Sequence, residues 1–314
     1  SSKTIMTNIK KAPKKAEPKN TQNTKETVGV LGLGIMGSAI SSNLLAAGFD
    51  VIGFDPDLRC QKRLAKAGGK VAKSAGELGK QAQYIISSLP SANALIENAK
   101  AIAASGKKGL IIAEASTLDL EDKMQAKKIL DAKGIILLDC PLSGTGAQAK
   151  TKDLSIYSSG QSTAIKKMEH VFFGFAKANY FVGSFGNGMK LKLMANLLVA
   201  IHNVSTAEAI LLGKNWGIDP ATTVKVLADG AGGSRMFSVR GPVMVKENWD
   251  EATMKVSIWQ KDMKLITAAL AQTNTPAPLF SASQAIYNAA MGAGHAENDT
   301  AAVYDVLRRM SALK

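Results

Sequence analysis

Lys192 and Asn196 lie four residues apart in a largely apolar run that reads as helix, directly after Gly186-Asn187-Gly188. At that spacing the two side chains share one helix face. An amine and an amide held together can grip a hydroxyl or carbonyl oxygen and move its proton. Upstream, Gly32, Gly34 and Gly37 spell the GxGxxG of a dinucleotide site. A proton acceptor and a hydride-carrier site in one chain point to an alcohol dehydrogenase. Either piece alone is a weak signal.

The glycine turn has the context it needs. Val28 to Leu33 is a short apolar run consistent with a buried parallel strand, residues 35–47 read as helix, and Val51 to Phe54 as a second strand. Gly32 permits the tight turn, Gly34 lets backbone approach a pyrophosphate, and Gly37 lets helix pack on strand. Leu33, Ile35 and Met36 complete the loop. Asp55 follows 18 residues past Gly37, at the end of the second strand. A carboxylate there bonds ribose hydroxyls and repels a 2′-phosphate, which favours NAD over NADP. Arg59 is the competing signal, and capping of the helix over 56–66 is the bland alternative for Asp55.

The elements that must position these groups can be read in outline. Strand-like runs recur at Tyr84–Ser88, Gly109–Ala113 and Ile135–Asp139, separated by helical stretches around 58–67, 91–104 and 119–132. This alternation predicts an α/β Rossmann domain, a doubly wound and mostly parallel sheet. Ser155–Ser158 and Tyr180–Val182 read as late strands that extend it. From Met189 the rhythm changes: 189–213 fits one long helix, and 219–229, 255–272, 279–291 and 297–312 read as further helices. The expected division is a basic tail over 1–26, a dinucleotide-binding domain over 27–187, and an all-helical substrate and oligomerisation domain over 188–314.

Composition sets bounds on function. The 314 residues are 46% hydrophobic, enough for a packed core. Lys192, Asn196, His202, Asn203 and Glu208 interrupt the most apolar stretch, so a soluble protein without a membrane span is expected. Two cysteines without CxxC spacing fit a reducing compartment, taken as the cytoplasm. Three scattered histidines give no metal-site spacing, and no metal is expected. Residues 1–26 hold seven lysines and two acids, five of the fourteen net positive charges. The tail is expected to be disordered and solvated. The remaining positive charge is diffuse and suits anionic cofactors and carboxylate substrates. No recognised nucleic-acid motif accompanies it.

With these residues in view, the chain resembles the β-hydroxyacid dehydrogenase family, over about residues 28–312. Four blocks carry the resemblance: Gly32-Leu33-Gly34-Ile35-Met36-Gly37 with Asn43-Leu44, Asp139-Cys140-Pro141-Leu142-Ser143-Gly144, Gly186-Asn187-Gly188 with Lys192 and Asn196, and Lys261-Asp262. The resemblance implies that Lys192 is the catalytic lysine and Asn196 orients the substrate. It implies that Ser143, Gly144 and Thr145 form the substrate-carboxylate loop, and that Lys261 closes over the site from the helical domain. Leu89-Pro90 looks like the loop beneath the adenosine side of the cofactor, and Ser116-Thr117 like the pair near the nicotinamide. Relatives form dimers or tetramers, so a homodimer or homotetramer is expected. Cys140, Leu142, Thr145 and Glu114 depart from the family's usual Ala, Val, Gly and Asp. Because Thr145 sits in the substrate loop, the resemblance carries over no named substrate.

Glu208 and His202, on the long helix, are expected to be buried hydrogen-bonding or interface groups, and Arg235 with Phe237 could reach the pocket. The leading reading is an NAD(P)-dependent dehydrogenase of a small β-hydroxy acid, with Lys192 as general acid/base. A glyoxylate/succinic semialdehyde-type reductase running in the opposite direction would use the same site. A non-catalytic nucleic-acid-binding homologue is a further class, against which the retained Lys192, Asn196 and Ser143 argue.

Overall fold

The structure, a computed structural model, describes residues 25–311. The expected tail lies outside the described residues apart from its last two, of which Glu26 meets His170 Nε2 at 2.5 Å. Strand and helix then alternate: β1 (Thr27–Leu31), α1 (Ile35–Ala46), β2 (Asp50–Phe54), α2 (Leu58–Lys66), β3 (Lys70–Val71), α3 (Ala75–Gln81), β4 (Tyr84–Ser87), α4 (Ala92–Ser105), β5 (Ile111–Glu114), α5 (Leu120–Asp131) and β6 (Ile136–Asp139). All six strands pair in parallel, in the order β3-β2-β1-β4-β5-β6. The winding reverses between β1 and β4, so a crevice opens beyond their C-terminal ends, where such sheets bind ligands.

Strand periodicity divides the core. Val28 and Val30 point to one side of the sheet, where Ile40 and Leu44 of α1 pack. Leu31 points to the other side, with Leu78, Leu95 and Ile102 from α3 and α4. Side-chain oxygens of Ser74, Ser91 and Asp119 accept the first free amides of α3, α4 and α5.

The late strands do not extend the main sheet as expected. β7 (Leu142–Ser143), β8 (Ser155–Ser158) and β9 (Ala178–Phe181) form a sheet of their own, together with α6 (Gly146–Lys150) and α7 (Ser162–Phe175). Pro141 stops β6 and turns the chain, so β7 pairs antiparallel with β8. The two sheets touch through Asp139 and Ser159, which exchange backbone hydrogen bonds of 3.0 and 2.8 Å.

The remainder of the described chain is helical: α8 (Asn187–Asn215), α9 (Pro220–Ala228), α10 (Arg235–Lys246), α11 (Val256–Thr273), α12 (Pro278–Gly292), a 3-10 turn at Thr300–Ala302 and α13 (Val303–Met310). α8 is long and apolar enough to cross a membrane by composition, with mean hydropathy 1.4. Its Ala200, Val204, Ala207 and Ile210 instead form the centre of a core with Met244, Trp259, Met263 and Tyr304. α10 is not among the helices expected from the sequence, and it carries Pro242 in its interior. Ser234 caps its start, accepting the Phe237 amide at 3.0 Å, and Gly241 lets it lie against Val224 of α9.

Candidate active site

The glycine turn separates two demands on the backbone. Gly32 has φ +88°, and a Cβ there would lie 2.0 Å from the Ser88 carbonyl oxygen. A Cβ on Gly37 would lie 1.9 Å from the Gly32 oxygen, so α1 sits hard against the turn. Both positions are needed by the fold itself. Gly34 differs: a Cβ there would meet nothing within 4 Å, and no side chain caps α1. Open space before an uncapped helix N-terminus fits a dinucleotide pyrophosphate. Gly34→Ala is therefore expected to leave the melting temperature of the ligand-free protein unchanged while weakening NADH binding about tenfold or more. Equal binding by wild type and variant in a fluorescence titration would place the phosphates elsewhere.

Asp55 braces the same turn. Its carboxylate accepts the Leu33 and Asp57 amides, both at 2.8 Å. The Leu33 side chain is buried in the core, so this residue faces the site through backbone alone. Capping of α2 falls to Asp57, which accepts the Arg59 amide at 2.9 Å, and the bland reading of Asp55 is corrected accordingly. The Arg59 guanidinium sits 3.1 Å from Asp57 and holds its carboxyl below the usual range.

Above β4 and β5 a buried carboxylate joins two loops. Glu114 accepts the Ser87 hydroxyl and, at 2.7 Å, the Ser116 amide, while Ser116 Oγ accepts the Leu89 amide at 2.7 Å. Leu89, Ser116 and Thr117 thereby line one wall of a cleft of about 510 Å³. Pro90 is exposed and lies outside that lining.

A second buried carboxylate sets the helix that carries Lys192. Asp139 ends β6, pairs with Lys123 Nζ at 2.8 Å, and accepts the Met189 amide at 2.8 Å. Ser159 Oγ accepts the neighbouring Gly188 amide at 3.0 Å. Gly188 is required here, since a Cβ would lie 2.4 Å from the Tyr157 oxygen. The first turn of α8 is thus pinned to the end of the sheet, and Lys192 follows one turn later.

Cys140, next to Asp139, is buried, and burial pushes its thiol far above the ordinary range. Its neighbour Pro141 leads into the loop of Ser143, Gly144 and Thr145. Gly144 has φ +136°, a left-handed conformation that favours glycine. Thr145 caps α6 in a reciprocal box: its amide donates to Gln148 Oε1 at 2.8 Å, and its hydroxyl accepts the Gln148 amide at 3.4 Å. This use of Thr145 was not foreseen, and it leaves the Ser143 hydroxyl and the Gly144 amide as the loop's freer groups.

Lys192, Asn196, Lys261, Ser143, Gly144, Thr145, Ile35 and Met36 all line the same cleft, with Leu89, Ser116 and Thr117. Gly32, Leu33, Gly34, Gly37 and Asp55 lie outside this lining, at the adjoining turn. Burial lowers the Lys192 pKa, with Lys261 adding to the effect and Asp262 opposing it. Asp262 is itself pushed up by burial, against the pull of both lysines, and accepts from Asn196 Nδ2 at 3.4 Å. The sequence assigns Asp262 no role beyond its place beside Lys261 in the Lys261-Asp262 block. Lys123 and Ser159 carried no signal at all, being single polar residues remote in sequence.

The remaining expectations divide. Arg235 lines the cleft and pairs with Asp153 at 3.2 Å, whereas Phe237 is buried outside the lining. His202 is half-buried, and Glu208 is exposed, which corrects the buried half of its reading and leaves the interface half an expectation.

Two family models match successive parts of the chain. Residues 27–186 match the NAD-binding domain model of 6-phosphogluconate dehydrogenase. Residues 186–307 match the NAD-binding model of NADP-dependent 3-hydroxyisobutyrate dehydrogenase. The chain is 30% identical to L-threonate dehydrogenase of Cupriavidus necator over 283 residues, covering 89% of this chain and 95% of that protein. It is 29% identical to mitochondrial 3-hydroxyisobutyrate dehydrogenase of Rattus norvegicus, covering 91% and 88% respectively. A solved 3-hydroxyisobutyrate dehydrogenase of Mycobacterium tuberculosis, with L-serine, superposes with TM-score 0.83 at 27% identity, over 91% of this chain and all of that one. The chain belongs to the β-hydroxyacid dehydrogenase family of NAD(P)-dependent oxidoreductases acting on CH–OH groups.

Proposed function

We propose that the protein interconverts a small β-hydroxy acid and its carbonyl partner, with Lys192 as general acid/base and NAD as the preferred cofactor. The observation that carries this reading is the meeting of Lys192 and Asn196 with the Ser143–Gly144 loop in one cleft beside the glycine turn. A bound nicotinamide supplies the hydride acceptor or donor. The chain's own groups do the rest. The Ser143 hydroxyl and Gly144 amide hold the substrate carboxylate and fix which face of the reacting carbon is presented. Neutral Lys192 takes the hydroxyl proton in oxidation, and its ammonium returns one in reduction. Asn196, steadied by Asp262, donates to the same oxygen. Besides Arg240, which pairs with Asp299, five basic side chains line the cleft (Lys177, Lys192, Arg235, Lys255 and Lys261) against Asp153 and Asp262, which favours anionic ligands.

Nicotinamide absorbance followed with a panel of three- to six-carbon β-hydroxy acids tests the reading. Turnover of one acid that is lost in Lys192→Ala supports it; NADH binding without any turnover contradicts it. The NAD preference rests on Asp55, with Arg59 engaged by Asp57. Asp55→Ser removes the carboxylate that repels a 2′-phosphate, so the NAD-to-NADP ratio of kcat/KM is expected to fall about tenfold or more. An unchanged ratio would remove Asp55 from cofactor selection.

Self-association belongs to the same reading. Met194, Leu198 and Leu212 share the outer face of α8 with Trp216 at its end, and the indole is 73% exposed. A homodimer or homotetramer in light scattering is the expected state. Buried, unpaired Cys60 and Cys140 suit a reducing compartment, which we take to be the cytoplasm.

A further inference from the structure

Arg240, on α10, has a side chain only 4% exposed. Its Nε donates to Asp299 Oδ1 at 2.9 Å and to Thr300 Oγ1 at 3.0 Å, and its Nη2 reaches Thr253 Oγ1 at 3.5 Å. Nη1 is buried with no partner. Asn203, on α8 and 1% exposed, donates from Nδ2 to the same Thr300 hydroxyl at 3.4 Å, and its Oδ1 also has no partner. Both residues line the cleft, as do Thr253 and Thr300. A buried polar atom left unpaired costs about 1–3 kcal/mol, and folded proteins keep few. Arg240 and Asn203 each keep one such atom while bonding the Thr300 hydroxyl through another nitrogen, and Trp259, whose Nε1 is also unpartnered, lines the same cleft; this wall has the polar capacity of a ligand subsite.

The donor pattern selects that group. Nη1 can only donate, and Oδ1 can only accept. Asp299 already neutralises Arg240, so the place has little need for an anion. A hydroxyl suits either atom, accepting from Nη1 or donating to Oδ1. A carboxylate has no proton for Oδ1, and a methyl group leaves both atoms unpaired.

Position along α8 supports the match. Lys192, Asn196, Val199 and Asn203 form one stripe facing the cleft. Asn203 follows Asn196 by two turns, about 10 Å of rise, and helical side chains lean back toward the N-terminus. A carbon chain running past Val199 from the reacting carbon therefore brings its far end to Asn203 and Arg240. We propose that Asn203 and Arg240 bind a hydroxyl carried beyond the reacting carbon, so that the substrate is a polyhydroxylated acid rather than an alkyl hydroxy acid. The inference rests on the hydroxy-acid reading of the same cleft.

The test pairs four- to six-carbon aldonic acids, in both configurations, with analogues lacking only the distal hydroxyl. Wild-type kcat/KM is expected to favour one hydroxylated acid over its deoxy analogue by about 100-fold or more. In Asn203→Leu, and in Arg240→Lys, which keeps a cation for Asp299, the two acids are expected to come within about tenfold. Equal turnover of both acids by wild type would overturn the subsite and leave the dehydrogenase reading intact. Should neither acid turn over, the hydroxy-acid reading fails, and thermal shift with NADH present decides the subsite separately. Protection by the hydroxylated acid alone supports it, and equal or absent protection overturns it.

Discussion

Lys192→Met is expected to lower kcat by about two to four orders of magnitude, the range for removing a positioned general acid/base. NADH affinity should hold, because the glycine turn and α1 are untouched. The same variant is expected to be more stable than wild type at neutral pH. Burial lowers the Lys192 pKa in the folded protein below its unfolded value, so the folded state binds fewer protons between the two. The destabilisation by a charged lysine is full below the folded pKa and fades as pH rises toward the unfolded value. The stability gain of Lys192→Met should therefore shrink at alkaline pH. A melting comparison across pH checks this; a variant less stable than wild type at neutral pH would mean that Lys192 is a structural group.

The second large effect lies at the base of α8. Lys123 and Asp139 are both fully buried, and Asp139 also receives the Met189 amide. Lys123→Met leaves that carboxylate in the interior without its counter-charge, and a loss of about 3–5 kcal/mol in unfolding free energy is expected. The double variant Lys123→Met/Asp139→Asn should recover part of it, since an amide carries no charge yet can still accept from Met189. Denaturant titration of the three proteins measures both effects. If the single variant were as stable as wild type, the pair would not be what anchors α8.

Much of this anchoring was invisible before the fold was known. The β/α alternation was legible because each buried parallel strand is an apolar run ended by a turn, as at Val28 to Leu31 and Tyr84 to Ser87. The shared face of Lys192 and Asn196 on α8 was legible because helix spacing alone places the two together. Lys123 gave no warning: on a helix as charged as α5 it reads as one more solvated lysine, and only the position of Asp139 buries it. α10, and with it Arg240, was not legible: Gly241 and Pro242 give it poor local helix propensity, and contact with α8 and α9 outweighs that. Thr145 was placed in the right loop, yet its bond to Gln148 depends on the cap geometry of a five-residue helix.

The most direct test of the proton-transfer role is the pH profile of kcat/KM for alcohol oxidation, wild type beside Lys192→Met. Activity of the wild type should rise with pH through a single ionisation lying below the ordinary lysine value, as Lys192 loses its proton. In the variant the residual activity should lack that ionisation. The same inflection in both proteins would contradict the assignment and give the proton to another group.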